Sequence, residues 1–277
     1  MRYRRWPLLA LILLLLAGCS STTFIYNRLD FFIPWYLGRY VDLNHEQDQH
    51  LDELLDPFLV WHRDEELPAY LEWLDRAGEQ LKQEITAAQL AELGGEIQQA
   101  WGRIESRGLE WMITLGETLS DQQMAEFMAE LRQQQVEYAE DFDRNDEDYR
   151  ENVRENLEGS MEKFLGQLNG AQEQMLDRAV AQLQRSDQVW LAERARWLDL
   201  LDRILQRQPG WQDELRHAVA TQGEFYSAEY RAVYQYNSEV LYGVIAEVLN
   251  SRSDKQERHL QRSLKKLRKD LLALQEK

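Results

Sequence analysis

The sequence predicts an all-α protein, an elongated and curved bundle of long antiparallel helices. Only 5 prolines and 14 glycines interrupt 277 residues that are rich in Leu, Glu, Gln and Ala. We find no sustained alternation of apolar and polar residues and no Asn-Gly turn between apolar runs, the patterns that indicate strands and hairpins. Where apolar residues recur regularly, as the leucines do from Leu260 to Leu274, they lie three or four positions apart, which is the helical spacing.

The first 18 residues have the composition of a secretory signal peptide. Basic residues precede an apolar run, Leu8 to Leu16, whose nine residues are too few to span a bilayer, since a spanning helix needs roughly 20. The run leads into Leu16-Ala17-Gly18-Cys19, which is typical of a lipobox. We therefore predict that residues 1–18 are removed by cleavage between Gly18 and Cys19, and that Cys19 is joined to diacylglycerol. The less favoured alternative is a short anchor that is not cleaved.

Lipid attachment at Cys19 predicts a domain that is tethered to a membrane and otherwise soluble. The two or three acyl chains of a bacterial lipoprotein hold effectively for good, whereas a single chain binds only marginally. Ser20, rather than an aspartate, follows the cysteine. In lipoproteins generally this favours the outer membrane, with the domain facing the periplasm. Acylation also uses the only cysteine, so no disulfide is expected.

The mature chain divides into a lipid anchor with an aromatic juxtamembrane segment, residues 19–43, and a helical domain, residues 44–277. Pro209-Gly210 is a clear break, which makes a subdivision near residue 209 an option. Seven aromatic residues lie between Phe24 and Tyr40, where Pro34 breaks the segment into short helical pieces. These rings could lie at the membrane interface, where Trp and Tyr are enriched. We favour the alternative that they cap the core of the domain, the usual fate of aromatic residues.

Asn44 is predicted to cap a helix that runs to about His62. Pro68 fits the first turn of the next helix, where its missing N–H costs nothing, so residues 62–67 are predicted to form a tight corner. In this interpretation Trp61 fills the core, while polar residues of the corner bond the ends of two helices. The candidate functional residues of the corner are Trp61, His62, Arg63, Glu66, Leu67, Pro68 and Tyr70.

Two patterns suggest reactive sites but are incomplete. His62 and Glu66 are four residues apart and could form an acid–base pair, yet we find no nucleophile, glycine loop or third group nearby. His45 and His50 evoke the zinc motif H-E-x-x-H, but their spacing of five turns the rings about 140° apart on a helix. We therefore expect a structural role for the first pair and no metal at the second.

On these motifs the chain resembles an uncharacterised family of proteobacterial lipoproteins, a domain of unknown function. The resemblance rests on the lipobox, on the aromatic stretch from Tyr36 to Leu43, and on the Trp-His-Arg and Glu-Leu-Pro runs of the corner. It covers residues 19 to about 74 and is vaguer beyond. It implies no activity.

Three helix starts carry the sequence of a capping box, in which a side chain caps the helix and a glutamine three residues later reaches back. They begin at Thr86, Ser120 and Asn169. The same starts are similar to the Leu-Thr-x-x-Gln signature of small periplasmic stress chaperones such as Spy and CpxP, over five residues at a time. We favour capping alone as the explanation. The unequal spacings, 34 and 49 residues, exclude a regular solenoid.

The central part of the chain is predicted to form two long helices. One runs from Ser120 to Leu168 with a narrow apolar stripe and many charges, and the other runs from Asn169 to about Gln208. Beyond the Pro209 break, aromatic and then aliphatic residues from Phe225 to Val248 form a stripe that we interpret as core.

The C-terminal segment reverses the charge of the chain. From Arg252 to Lys269 there are eight basic residues and two acidic ones, beside a heptad of leucines. The basic residues could dock on anionic lipid or on phosphates of the outer membrane. We favour the alternative that the leucines pack in the bundle and the charges face its acidic helices. The candidate anionic contacts are Arg258, Arg262, Lys265, Lys266 and Lys269.

Together these features predict an outer-membrane-anchored periplasmic lipoprotein that acts as a non-catalytic, chaperone-like module for binding proteins. The alternative is an envelope structural or adaptor lipoprotein with one specific partner, and a hydrolase or metal enzyme comes third. Expected partners are the membrane, through diacylglycerol on Cys19, and an envelope protein. A formal net charge of −17 argues against nucleic acid, whose binding depends on neutralising phosphates. We expect no cofactor and no metal.

Overall fold

The computed structural model describes residues 25–276. The predicted signal peptide, with Gly18 and Cys19, lies outside the described residues. The described part of the chain is all-α, as predicted, and contains no strand. None of its helices is both long and apolar enough to cross a membrane.

The helices follow one another with short connections. In chain order they are α1 (Leu29–Leu37), α2 (His45–Trp61), a π-helical turn (His62–Glu66), α3 (Leu67–Gln80), α4 (Ala87–Thr118), α5 (Asp121–Phe142), α6 (Asp146–Leu165), α7 (Gly170–Gln182), α8 (Asp187–Ile204), α9 (Trp211–Ala220), α10 (Gln222–Phe225), α11 (Ala228–Asn250) and α12 (Asp254–Gln275).

The longest helix, α4, connects two separate cores. It has 32 residues and is therefore about 48 Å long at 1.5 Å per residue. Near its N-terminus Leu93 packs in a cluster with residues of α6, α7, α11 and α12. Near its C-terminus Leu109 and Ile113 pack in a second cluster with residues of α5, α8 and α9. Because one continuous helix contributes to both clusters, the bundle is extended along α4.

All three predicted capping boxes are present, at Thr86 with Gln89, Ser120 with Gln123, and Asn169 with Gln172. Asn44 caps α2 as predicted, and it also forms a box with Gln47. A further box joins Ser253 to Gln256 at the start of α12. Sequence reasoning missed these last two boxes, although their spacing is the same.

Four of the box glutamines also hold distant helix starts together in two pairs. Gln47 Nε2 donates to Gln123 Oε1 over 3.1 Å, and Gln123 Nε2 donates back to Gln47 Oε1 over 2.8 Å. Gln172 and Gln256 make the same reciprocal contact, at 3.2 and 2.8 Å. The amides thus join the start of α2 to that of α5, and the start of α7 to that of α12.

Both long central helices predicted from the sequence are interrupted, so those two predictions are wrong. The first breaks after Phe142, because the Asn145 side chain accepts the Asp148 N–H and starts α6. The second breaks after Gln182, where the backbone of Gln184 pairs with the Asn237 side chain instead of continuing the helix. In each case a side chain supplies the hydrogen bonds that the helix gives up.

The aromatic segment beside the predicted anchor is only partly core. Tyr26 is buried, but Phe31 and Trp35 are 58% and 59% exposed. Helix α1 instead packs through Ile33 and Leu37. The favoured prediction that these rings cap the core therefore holds for Tyr26 and is wrong for Phe31 and Trp35.

Candidate functional site

The predicted corner before Pro68 is not a corner. Residues His62–Glu66 form one π-helical turn that carries α2 directly into α3, and the Leu67 N–H bonds to the His62 carbonyl. Pro68 lies in the first turn of α3. A proline inside a continuing helix removes one hydrogen bond and crowds the preceding turn. The wider π turn lies in that preceding turn, where it gives the proline ring more room. The chain therefore stays helical where the sequence suggested a turn.

The π turn buries His62 between two tyrosines. Tyr26 OH lies 2.9 Å from His62 Nδ1, and Tyr70 OH lies 3.4 Å from Nε2. Burial lowers the pKa of His62 to about 4, and burial raises the pKa of Tyr26 to about 12. All three groups are therefore neutral at pH 7, and the imidazole uses both ring nitrogens in this contact.

Glu66 does not pair with His62. It is 3% exposed and accepts two hydrogen bonds from the Arg103 guanidinium of α4, over 2.7 and 2.8 Å. This fork matches the planar guanidinium to the carboxylate. The acid–base pair considered in the sequence therefore has each member bonded elsewhere, His62 to tyrosines and Glu66 to arginine.

Trp61 does not fill the core, which corrects a further prediction. Its ring is only partly buried and its Nε1 donates to Glu65 Oε2 over 3.1 Å. The π turn brings Leu67 inward instead, where it is fully buried. Arg63 lies over the Tyr26 ring, with Cζ 5.8 Å from the centroid.

These contacts fasten the segment that follows the predicted anchor. Tyr26, seven residues after Cys19, packs in one cluster with Leu67 of α3 and with Leu271 and Leu274 of α12. The hydrogen bond to His62 fixes the polar end of the same ring. The predicted family motif thus positions the segment next to the predicted anchor. His62 and Tyr26 hold it as neutral hydrogen-bonding partners, while Glu66 is ion-paired with Arg103 of α4.

The burial of His62 makes stability depend on pH. The pKa of His62 is about 4 in the folded chain, below the ordinary value of 6.5. Between pH 4 and pH 6.5, His62 is therefore protonated in the unfolded chain and neutral in the folded chain. We expect the free energy of unfolding to fall from pH 6.5 to pH 4 by up to about 3 kcal/mol more than in His62→Gln. Urea unfolding of both proteins across this range measures the difference, and parallel curves would contradict the burial.

A row of three tyrosines at the start of α11 faces α4. Tyr226 precedes the helix, whereas Tyr230 and Tyr234 lie one turn apart within it. Successive ring centroids are 4.7 and 6.2 Å apart. Tyr234 is 50% exposed, and its hydroxyl accepts a 2.7 Å hydrogen bond from Gln98 Nε2 of α4. Burial raises the pKa of Tyr230 to about 12. The rings are therefore packed at their bases and open to solvent towards Tyr234.

The facing surface of α4 includes two glycines. Gly95 and Gly102 lie on the same helical face as Gln98, and a Cβ atom added to either would meet nothing within 4 Å. Glu105 continues this face towards Tyr226, and burial raises its pKa. We call the surface formed by Gly95, Gln98, Gly102, Glu105, Tyr226, Tyr230 and Tyr234 the tyrosine groove.

The tyrosine groove was missed because the stripe from Phe225 to Val248 was interpreted as core. Its aliphatic half is core, with Val244 and Val248 buried, whereas Phe225 is 60% exposed. Helical spacing shows that residues share a face but not what covers that face. The density of tyrosine, a residue that is enriched at interfaces, is the one signal that could have indicated the groove.

Helix α12 bears on both interpretations of the basic segment. Its leucines pack as expected, with Leu260, Leu271 and Leu274 buried. Arg268 pairs with Asp75 of α3 over 2.8 Å. The five candidate anionic contacts are exposed and make no ion pair among residues 25–276, although Arg262 and Lys266 lie beside the acidic helix α6. Those five residues are Arg258, Arg262, Lys265, Lys266 and Lys269. That these charges face acidic helices therefore stays a prediction.

Comparison with known proteins gives one match. The model of a family of unknown function, DUF6279, matches residues 39–231. This range contains the π turn and most of the tyrosine groove, and it ends before α12. No curated protein and no protein of solved structure gives a significant match.

Proposed function

The chain belongs to DUF6279, a family of unknown function, and we propose that it is an outer-membrane-anchored periplasmic lipoprotein that acts as a non-catalytic protein-binding module. The family supplies no activity, so the proposal rests on the chain itself. The lipobox supports the tether at Cys19. The tyrosine groove is the observation that supports protein binding.

The chemistry of the groove suits a polypeptide segment. Tyrosine offers a broad apolar ring and a hydroxyl at a small cost in conformational entropy, and it is therefore common in surfaces that bind proteins. The glycines of α4 leave its backbone open to close approach. Exposed aromatic side chains that are grouped, rather than scattered, mark interaction sites on soluble proteins.

The carboxylate of Glu105 favours a bound segment that carries a basic residue. Glu105 is partly buried and makes no ion pair among the described residues of the chain. A lysine or arginine in the bound segment would relieve the unfavourable burial of this carboxylate. The proposed ligand is therefore a flexible stretch of an envelope protein that combines aromatic or aliphatic residues with a basic one, as a chaperone-like module would require.

Filling the groove tests this function without damaging the fold. Gly102→Gln places a side chain in open space, and replacing a helical glycine should stabilise the protein by about 0.5–1 kcal/mol. We expect about tenfold weaker binding, or about 1.4 kcal/mol, to peptides tiled from envelope proteins on an array.

Gly159→Gln is the matched control. Gly159 is also helical, on α6, and also has nothing within 4 Å of an added Cβ atom. It should gain the same stability and keep the binding of the parent protein. Equal binding by the two variants, or no peptide binding by the parent, would refute the groove as the binding surface.

A further inference from the structure

We infer that the outer face of α12, together with the exposed aromatic face of α1, lies on an anionic phospholipid bilayer, so that the protein rests along the membrane. This inference goes beyond the binding module and rests on the proposed tether at Cys19. The outer face of α12 is formed by Arg258, Arg262, Lys265, Lys266 and Lys269, and we call it the basic face.

The basic face is a continuous strip on one side of α12. At 100° per residue its five positions fall within about 100° of one another, and they extend about 16 Å along the helix. The buried leucines occupy the opposite side. Five exposed cations without ion-pair partners among residues 25–276, in a chain of net charge −17, form a surface that an anionic partner would neutralise.

A cleft beside the basic face has room for a lipid headgroup. It measures about 360 Å³ and lies between α6 and α12. Lys163, Arg262 and Lys266 line it together with His259, against one acidic residue, Asp270. Lysine and arginine are the residues that bind phosphate in proteins, so the cleft fits the phosphate of an anionic phospholipid.

Helix α1 supplies the second contact. Phe31 and Trp35 are 58% and 59% exposed and are four residues apart on one face, and the exposed Arg28 immediately precedes the helix. Aromatic rings with a neighbouring arginine are typical of the boundary between lipid and water. This exposed face is what the membrane interpretation of the juxtamembrane segment requires.

Both surfaces lie along the continuous helical segment formed by α2, the π turn and α3, which we call the rod. Helix α12 is antiparallel to α3, since Arg252 bonds to the Leu81 carbonyl at one end and Leu271 packs with Leu67 at the other. Helix α1 is antiparallel to α2, since Tyr26 bonds to His62 at one end and Leu37 packs near Leu51 at the other.

The predicted anchor therefore enters between the two surfaces. Tyr26 lies where α1 and α12 meet on the rod. The seven residues back to Cys19 can extend at most about 25 Å. A lipid-bound Cys19 keeps Tyr26 this close to the bilayer, so even weak contacts by the two adjoining surfaces are made at a high effective concentration.

Single-thiol labelling tests the contact, because Cys19 is the only cysteine and is blocked when acylated. The acylated protein is reconstituted into vesicles of phosphatidylcholine or of equal parts phosphatidylcholine and phosphatidylglycerol. A fluorophore is placed by Trp35→Cys, Leu272→Cys or Val136→Cys, all exposed positions. In the anionic vesicles we expect a lipid-borne quencher to quench positions 35 and 272 several-fold more than position 136.

Two triple charge-reversal variants distinguish a contact at the basic face from an effect of net charge. Arg262→Glu with Lys266→Glu and Lys269→Glu should reduce quenching at position 272 to the level of position 136. Arg178→Glu with Arg203→Glu and Arg231→Glu changes the net charge equally, at exposed residues outside α12, and should leave quenching unchanged. Equal quenching at all three labelled positions, or equal effects of the two triple variants, would overturn the inference.

Flotation with phosphatidylcholine vesicles examines the tether separately. Protein that fails to float with them refutes lipid attachment, while quenching in anionic vesicles still decides the bilayer contact. An acidic protein as the true partner of the basic face would leave positions 272 and 136 equally quenched, which counts against the inference.

Discussion

Arg103→Met is expected to lower the free energy of unfolding by about 3 kcal/mol, because it leaves the buried Glu66 carboxylate without its charged partner. Glu66 is 3% exposed and both of its oxygens accept from Arg103. Arg103 is itself about half exposed, with a side-chain accessibility of 47%. The loss therefore comes from stranding the carboxylate rather than from exposing the arginine. Chemical denaturation monitored by circular dichroism measures it.

Two further variants show whether burial is the cause. Arg76→Met breaks another ion pair between α3 and α4, with Glu96, in which both side chains are substantially exposed, and it should cost less than about 1 kcal/mol. Glu66→Leu combined with Arg103→Met should recover most of the stability, because replacing both partners of a buried pair by apolar residues is often neutral. Equal losses in Arg103→Met and Arg76→Met would contradict this explanation.

Gln172→Ala is expected to cost about 2–4 kcal/mol, because it removes the capping-box hydrogen bond from the Asn169 N–H and strands the buried amide of Gln256. Gln172 is fully buried and is bonded to its own helix start and to Gln256. Gln89 occupies the same place in the exposed capping box of α4. Gln89→Ala should therefore cost only about 1 kcal/mol. Denaturation midpoints compare the two variants, and similar values would mean that the pairing of glutamines contributes nothing.

The same glutamines show what the sequence could predict and what it could not. A capping box is local, so its two members are visible within four residues, and the predicted boxes were correct. The pairing of Gln47 with Gln123 joins residues 76 positions apart. Local spacing carries no record of such a contact, since it depends on how the helices pack.

The predictions of a corner at residues 62–67 and of two unbroken central helices were also wrong. Pro68 signals a helix start correctly, but the sequence does not distinguish a turn of the chain from a wider helical turn that continues it. The break at Gln184 depends on Asn237, 53 residues away. At Gln184 a distant partner overrides the local preference for helix, whereas the break before α6 is made locally by the Asn145 cap.

The candidate surfaces were only half visible in the sequence. The residues of the basic face of α12 and the aromatic residues before Asn44 are evident as sequence patterns. Whether they can contact a partner depends on their exposure, which the patterns do not show. The average behaviour of these residue types favours a core position for Trp35 and an ion pair within the chain for Lys266, yet both residues are exposed. Their positions along one rod, on either side of Tyr26, follow only from the packing of α1 and α12.

In-cell photocrosslinking of the acylated protein tests protein binding most directly. A photoreactive residue replaces Tyr234 in the tyrosine groove or, as the control, Val136, which is equally exposed at 50% on α5. The proposed binding module predicts that position 234 captures envelope polypeptides and that position 136 does not. Many unrelated captured proteins would indicate a chaperone-like module, and one dominant protein would indicate an adaptor. The same sparse capture at both positions would contradict protein binding by the groove.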